Sequence, residues 1–198
     1  RKEQLLMGAM LHDIGKMIVP TKVMNKATRL GDNYDVVVKR LEFFRVKYEV
    51  MFLFVFFTEE DFNEKNDRLN NALSVIEKVD GAGFVDDELS ANLEEVLTYT
   101  YQDLTQENSE EIPFFTEEEK NCLRVKKGTL TSEEREIMES HVVMTERILS
   151  KVHFHSFYKD APIFAAQHHE CLNGKGYPKH ITAEEIPLES RILAVADI

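Results

Sequence analysis

Apolar positions recur at the helical period along most of the chain. Residues 2–13 place Leu5, Leu6, Ala9 and Met10 at helical spacing, which predicts a helix stopped near Gly15. Residues 18–28 contain Pro20 and no clean period, so loop and short helix are expected there. Val37, Leu41, Phe44, Tyr48, Met51 and Val55 form a stripe that predicts one long helix. The wholly apolar run 50–57 also suits a buried strand, but its continuity with the stripe favours helix. Another helix is predicted over 62–79, with Leu69, Leu73 and Ile76 on one face and Gly81 and Gly83 ending it. A further helix carries Leu89, Leu93, Val96, Leu97 and Leu104.

The acidic stretch 107–119, interrupted by Ile112, Pro113, Phe114 and Phe115, has the character of a solvated face or linker. Thr131 and Glu134 make a T-x-x-E capping signal for a helix running through His141 to about Leu149. A helix is expected over about 161–170, a glycine-rich turn over 172–178, and a last helix from near Pro187 through Ile192 and Val195 to Asp197. No set of strands is legible, so the expected class is all-α.

Composition narrows the function. The chain has 198 residues and a formal net charge of −12. That charge argues against a surface for long nucleic acid, which needs a basic footprint. It leaves room for a small anionic substrate, because bound metal ions bring their own positive charge. The two cysteines, Cys122 and Cys171, are far apart and are expected to be reduced thiols of a cytoplasmic protein. The run 50–57 is about half the length of a membrane span, so no transmembrane segment is expected in this fragment. The abrupt ends at Arg1 and Ile198 suggest a piece of a longer protein, with room for an upstream sensor domain.

Candidate chemistry gathers in two places. His12 and Asp13 lie at the end of an apolar helix, where polar side chains need a reason to be. Imidazole and carboxylate are both ligands for divalent metals, and a carboxylate with two oxygens can reach two ions. Lys16, one turn further, is placed to hold a phosphate; it equally suits a solvated helix-end lysine. The second place is His168-His169-Glu170, followed by Asn173-Gly174-Lys175-Gly176-Tyr177-Pro178. Adjacent helical histidines point in different directions and suit two neighbouring ions better than one. Gly174 and Gly176 permit positive φ or close backbone approach, and Tyr177 offers a ring and a hydroxyl to a base or phosphate. His141 and Asp197 say little alone, and His153, His155 and His180 are taken as structural.

Taken together, His12-Asp13-x-Gly15-Lys16, the helical His141, His168-His169-Glu170 with its glycine-tyrosine-proline loop, and Ala196-Asp197 resemble the HD-GYP branch of the HD-domain phosphohydrolases. The resemblance covers about residues 1–28 and 122–198. It implies a helical bundle holding two or three divalent ions, usually iron or manganese. It implies hydrolysis of cyclic di-GMP to the linear dinucleotide or to GMP, in bacterial signalling. By position it makes His12, Asp13, His141, His168, His169 and Asp197 metal ligands. It also makes Lys16 a phosphate contact, and Tyr177 with Gly176 part of the substrate side.

This chain departs from that pattern in three ways. A helical insertion over 29–121 separates the first motif from the rest, and its apolar stripes must pack on the core, on themselves, on a partner or on a second copy. Asn173 stands where the family usually has an aspartate. Ligands that precede the histidine-aspartate pair, and basic residues that follow the last aspartate, fall outside the chain. Two rival expectations stay open: an HD phosphohydrolase acting on another nucleotide or phosphate ester, and a catalytically silent interaction module.

Overall fold

A computed structural model describes residues 1–102, 111–155 and 157–197. Its elements are α1 (Lys2–Leu11), α2 (Thr21–Met24), α3 (Tyr34–Leu53), α4 (Glu59–Gly81), α5 (Asp87–Leu97), β1 (Thr100–Gln102), β2 (Glu111–Pro113), α6 (Glu117–Leu123), α7 (Ser132–Leu149), α8 (Ala161–Ala166) and α9 (Leu188–Ala196). Among the described residues the protein is helical, apart from one antiparallel strand pair in which Tyr101 faces Ile112. The sequence reading missed that pair because three-residue strands are too short to show a period. Among the described residues no helix is long and apolar enough to cross a membrane.

The chain divides into two compact units, Arg1–Asn25 with Ser132–Ile198, and Lys26–Thr131. The sequence boundaries at 28 and 122 differ from these. Residues 26–28 and 122–131 pack with the second unit, where Cys122 and Leu123 join its core and the Val125 carbonyl accepts from the buried Arg29.

In the first unit, α8 is the central element. Its buried Ala161, Phe164, Ala165 and Ala166 meet α1, α7 and α9, and the small side chains let those helices approach. Helix α1 ends at Leu11, and a 3-10 turn over Ile14–Ile18 lies along α7. Gly15 sits inside that turn and does not end α1, contrary to the sequence expectation. A Cβ on it would lie 1.9 Å from the carbonyl oxygen of His141, so only glycine lets the turn lie against α7. Helix α8 stops at Ala166, four residues short of the expected end, which leaves His168 and His169 in a turn.

The second unit is built on α3 and α4. The predicted stripe of α3 is correct over Val37, Leu41, Phe44 and Tyr48, all of which are buried. It fails at Val55: α3 ends at Leu53, and Val55 is exposed with φ 62°. Helix α5 ends at Leu97, and Leu104 lies outside the described residues. Thr58 with Asp61 and Thr116 with Glu119 form reciprocal capping boxes at the starts of α4 and α6. Glu119 corrects the reading of its acidic stretch as solvated. It is 5% exposed and takes two hydrogen bonds from the Arg40 guanidinium, at 2.8 and 2.9 Å. Phe114 and Phe115 beside it belong to the core.

Candidate metal centre

Three histidines of the first unit are held by one local device. The Nδ1 atoms of His12, His141 and His168 lie 2.6, 2.6 and 2.7 Å from the carbonyl oxygens of Ala9, Met138 and Ala165, each three residues earlier. A carbonyl only accepts, so each Nδ1 carries the proton, and in a neutral ring each Nε2 is left with its lone pair. Such a hydrogen bond behind the ring is the usual way a protein orients a ligating histidine.

The Nε2 atoms turn toward Asp13. Asp13 Oδ1 lies 3.5 Å from His141 Nε2 and 3.9 Å from His168 Nε2. Asp13 Oδ2 lies 3.3 Å from His12 Nε2 and takes a 2.7 Å hydrogen bond from Lys16 Nζ. Asp197, the residue that closes α9, brings Oδ1 to 3.0 Å from His12 Nε2. The centre thus joins α1, α7, the turn after α8 and the end of α9.

Donor atoms of His141, His168 and His169 all lie within 4.8 Å of one another, as do those of His12, Asp13 and His168. The two histidines of the pair therefore reach one common group with His141. The helical argument that set them apart does not apply, because neither is in a helix. His169 is held on its other side by Tyr177, whose ring stacks on it at 4.8 Å and 27°.

Electrostatics agree with a cation site. Burial pushes the His168 pKa down to about 4, so its ring is neutral at ordinary pH. Burial also lowers the pKa of His169, and the neighbouring His141 adds to this. Burial alone would raise the Asp13 carboxyl. The Lys16 hydrogen bond and ammonium, with His12 and His141 adding to the pull when their rings are protonated, outweigh that and hold it below the ordinary carboxylate value. Asp13 Oδ1, His141 Nε2 and His168 Nε2 are buried and have no hydrogen-bond partner. Acceptor atoms thus face one another with no proton between them. A buried arrangement of that kind is costly unless a cation occupies the middle, and these donors fit a divalent metal.

Several supporting residues escaped the sequence reading. Thr145 Oγ1 donates to the His12 carbonyl at 2.9 Å and accepts from the Gly15 N–H at 3.0 Å. It stands four residues after His141, on the same face of α7, which was the available signal. Buried Glu170 accepts from the backbone N–H groups of Lys179 and Ile181 at 2.7 and 3.2 Å, closing the loop that carries Tyr177. Ser190 Oγ donates to Gln167 Oε1 at 2.9 Å and ties α9 to the histidine turn.

Gly174 has φ 72°. Gly176 is buried, and a Cβ there would lie 2.2 Å from the Cys171 nitrogen, so its place in the turn is steric.

An HD domain family model matches residues 119–198. The cyclic di-GMP phosphodiesterase response regulator RpfG of Xanthomonas campestris is 39% identical over 74 residues, covering 37% of this chain and 19% of its own length. A cyclic di-GMP phosphodiesterase of Thermotoga maritima is 44% identical over 73 residues, covering 37% and 20%. The 3'3'-cGAMP-specific phosphodiesterase 3 of Vibrio cholerae is 38% identical over 78 residues, covering 39% and 16%. The matched segments thus span a fifth or less of these curated relatives. His12 and Asp13 lie outside the matched family model, and it is the fold that brings them to His168.

Proposed function

We propose that this chain, which carries an HD domain and is similar across it to cyclic-dinucleotide phosphodiesterases, is the metal-binding part of an enzyme that hydrolyses cyclic di-GMP. The product is the linear dinucleotide or GMP. The observation that carries the reading is the division of Asp13. One of its oxygens faces His141 and His168, and the other faces His12 and Lys16.

In this reading His12, Asp13, His141, His168, His169 and Asp197 hold two or three divalent ions, with Asp13 placed to serve more than one. Imidazole and carboxylate donors without thiolate favour iron or manganese. Such ions, when bound, supply Lewis-acid stabilisation of phosphoryl oxygens and make water a competent nucleophile near neutral pH.

The rest falls to the chain. The carbonyls of Ala9, Met138 and Ala165 fix which nitrogen of each ring carries the proton. Lys16 keeps a positive charge beside Asp13, where a phosphate would arrive and where it can steady developing negative charge. Tyr177 holds His169 by its stacked face and lies at the substrate side. Among the described residues no side-chain nucleophile is needed for this chemistry.

A cytoplasmic setting and control by a sensor domain outside these residues accompany the reading. One relative is named for 3'3'-cGAMP, which makes that dinucleotide the second substrate to test.

The test is metal content and product analysis of the purified protein with cyclic di-GMP, 3'3'-cGAMP and an unrelated phosphodiester. Linear product from a cyclic dinucleotide, lost in Asp13→Ala and His168→Ala, is expected. Turnover of the unrelated ester alone, or full activity in both variants, would overturn it. Bound metal without any turnover would leave a silent module as the better account.

A further inference from the structure

Helix α3 carries two apolar faces, and only one is used inside its own unit. Val37, Leu41, Phe44 and Tyr48 are buried. On the opposite side, Val36, Phe43, Val46, Val50 and Leu53 are between 45% and 71% exposed. Their spacing alternates three and four residues once Lys39 is counted: 36, 39, 43, 46, 50, 53. This is the a and d pattern of a two-stranded coiled coil, sustained over the length of α3. A solvated helix face has no reason to keep that period, and a contiguous exposed apolar surface marks an interaction site.

The charges beside the seam say what covers it. With position a at 36, 43 and 50, the g positions are Asp35, Glu42 and Glu49, and the e positions are Arg40, Lys47 and Phe54. In a parallel pair each g residue meets the e residue five positions later on the other helix. That sets Asp35 toward Arg40 and Glu42 toward Lys47 of a second copy, acid to base each time. An antiparallel pair would set acids against acids and bases against bases. Arg40 is engaged by Glu119 within its unit, so Glu42 with Lys47 carries most of the selection. Lys39, at one d position, can lay its stem along the seam and keep its ammonium in water.

We propose that the exposed face of α3 is a homodimer interface in which two copies associate in parallel about a two-fold axis. The helix is already ordered by packing on α4 and on its own core, so association does not bear the cost of folding it. A single stripe that matches itself is what a two-fold interface requires. This inference is independent of the catalytic reading.

Sedimentation velocity of the full chain tests it. The wild type is expected to be a dimer in the micromolar range. The double variant Phe43→Asp/Val50→Asp should be a monomer with an unchanged far-UV spectrum, since both side chains are exposed. Glu42→Lys alone and Lys47→Glu alone should each weaken the dimer about tenfold or more through like-charge contact, and the two together should restore it. A monomeric wild type, a dimer that survives Phe43→Asp/Val50→Asp, or a charge exchange that fails to restore association would each overturn the proposal.

Discussion

Thr145 accepts a hydrogen bond of 3.0 Å from the backbone N–H of Gly15, 130 positions earlier in the chain. The same hydroxyl donates to the carbonyl of His12. One side chain of α7 therefore grips both backbone groups that flank Asp13, while His141 of the same helix faces the Asp13 carboxylate. The helix that carries one candidate ligand, His141, also fixes the segment that carries two more, His12 and Asp13.

Thr145→Val keeps the shape and removes both hydrogen bonds, leaving a buried N–H and a partly buried carbonyl without this partner. A loss of about 1–3 kcal/mol is expected. It should be accompanied by lower metal content. Urea denaturation and metal analysis check this; a variant as stable and as metal-rich as wild type would remove the role assigned to Thr145.

Gly15→Ala tests close approach, because this glycine lies in an ordinary helical turn and owes nothing to positive φ. The added methyl meets backbone of α7, which cannot swing aside as a side-chain tip can. The variant should lose about 1–3 kcal/mol from overpacking. Its capacity for metal should fall as Asp13 is pushed from His141. Unchanged melting and metal stoichiometry would show that the turn is not held as described.

Metal should stabilise the native state through preferential binding. Adding manganese to metal-free protein is expected to raise the melting temperature, by an amount equivalent to about 2.7 kcal/mol at a hundredfold excess over Kd. A chelator should reverse it. His168→Ala should abolish the increment, because His168 belongs to both donor groups. An equal increment in that variant would place the ion elsewhere.

The Arg40–Glu119 pair predicts acid sensitivity. Burial raises the Glu119 carboxyl, but the Arg40 hydrogen bonds and those from Thr116 outweigh it, so its folded pKa lies below the ordinary value. A depressed carboxylate contributes stability that is full above the unfolded pKa and disappears as pH falls through the folded one. Melting temperature should drop on the acid side for this reason. Glu119→Gln should cost about 1–3 kcal/mol at neutral pH, because it removes the charge partner of a partly buried guanidinium that keeps its hydrogen bond to the Phe114 carbonyl. It should also flatten the acid limb; an equally steep limb in the variant would assign the sensitivity to other groups.

Tyr177 separates stacking from hydroxyl chemistry. Tyr177→Phe keeps the ring on His169 and should keep the metal, while Tyr177→Ala should lower metal content. If the hydroxyl meets the substrate, Phe raises KM with little change in metal. Steady-state kinetics paired with metal analysis distinguishes the two.

Local patterns in the chain were enough for much of the helical framework. The stripe Val37, Leu41, Phe44 and Tyr48 needed only the 3.6-residue period, and the T-x-x-E signal at Thr131 marked the start of α7. The same reasoning failed where tertiary packing overrides local preference. Val55 follows the α3 period, yet the helix ends before it and leaves it exposed. Glu119 lies in an acidic run, and its burial depends on Arg40, 79 positions away.

By itself, the sequence determined the helical class and the kinds of donor: imidazole and carboxylate in motifs with a recognisable order. Residue type and short spacing carry that much, because they set local conformation and chemical affinity. Only the tertiary structure decided that Asp13 stands among His12, His141 and His168. It also decided that His169 joins His141 and His168, and that Thr145 clamps the segment from His12 to Gly15 that carries Asp13. The reason is geometric. The contacts of Asp13 with His141 and His168, and of Thr145 with Gly15, cross more than a hundred residues, and they form only after α1, α7, α8 and α9 have packed and excluded water from the atoms that now face one another.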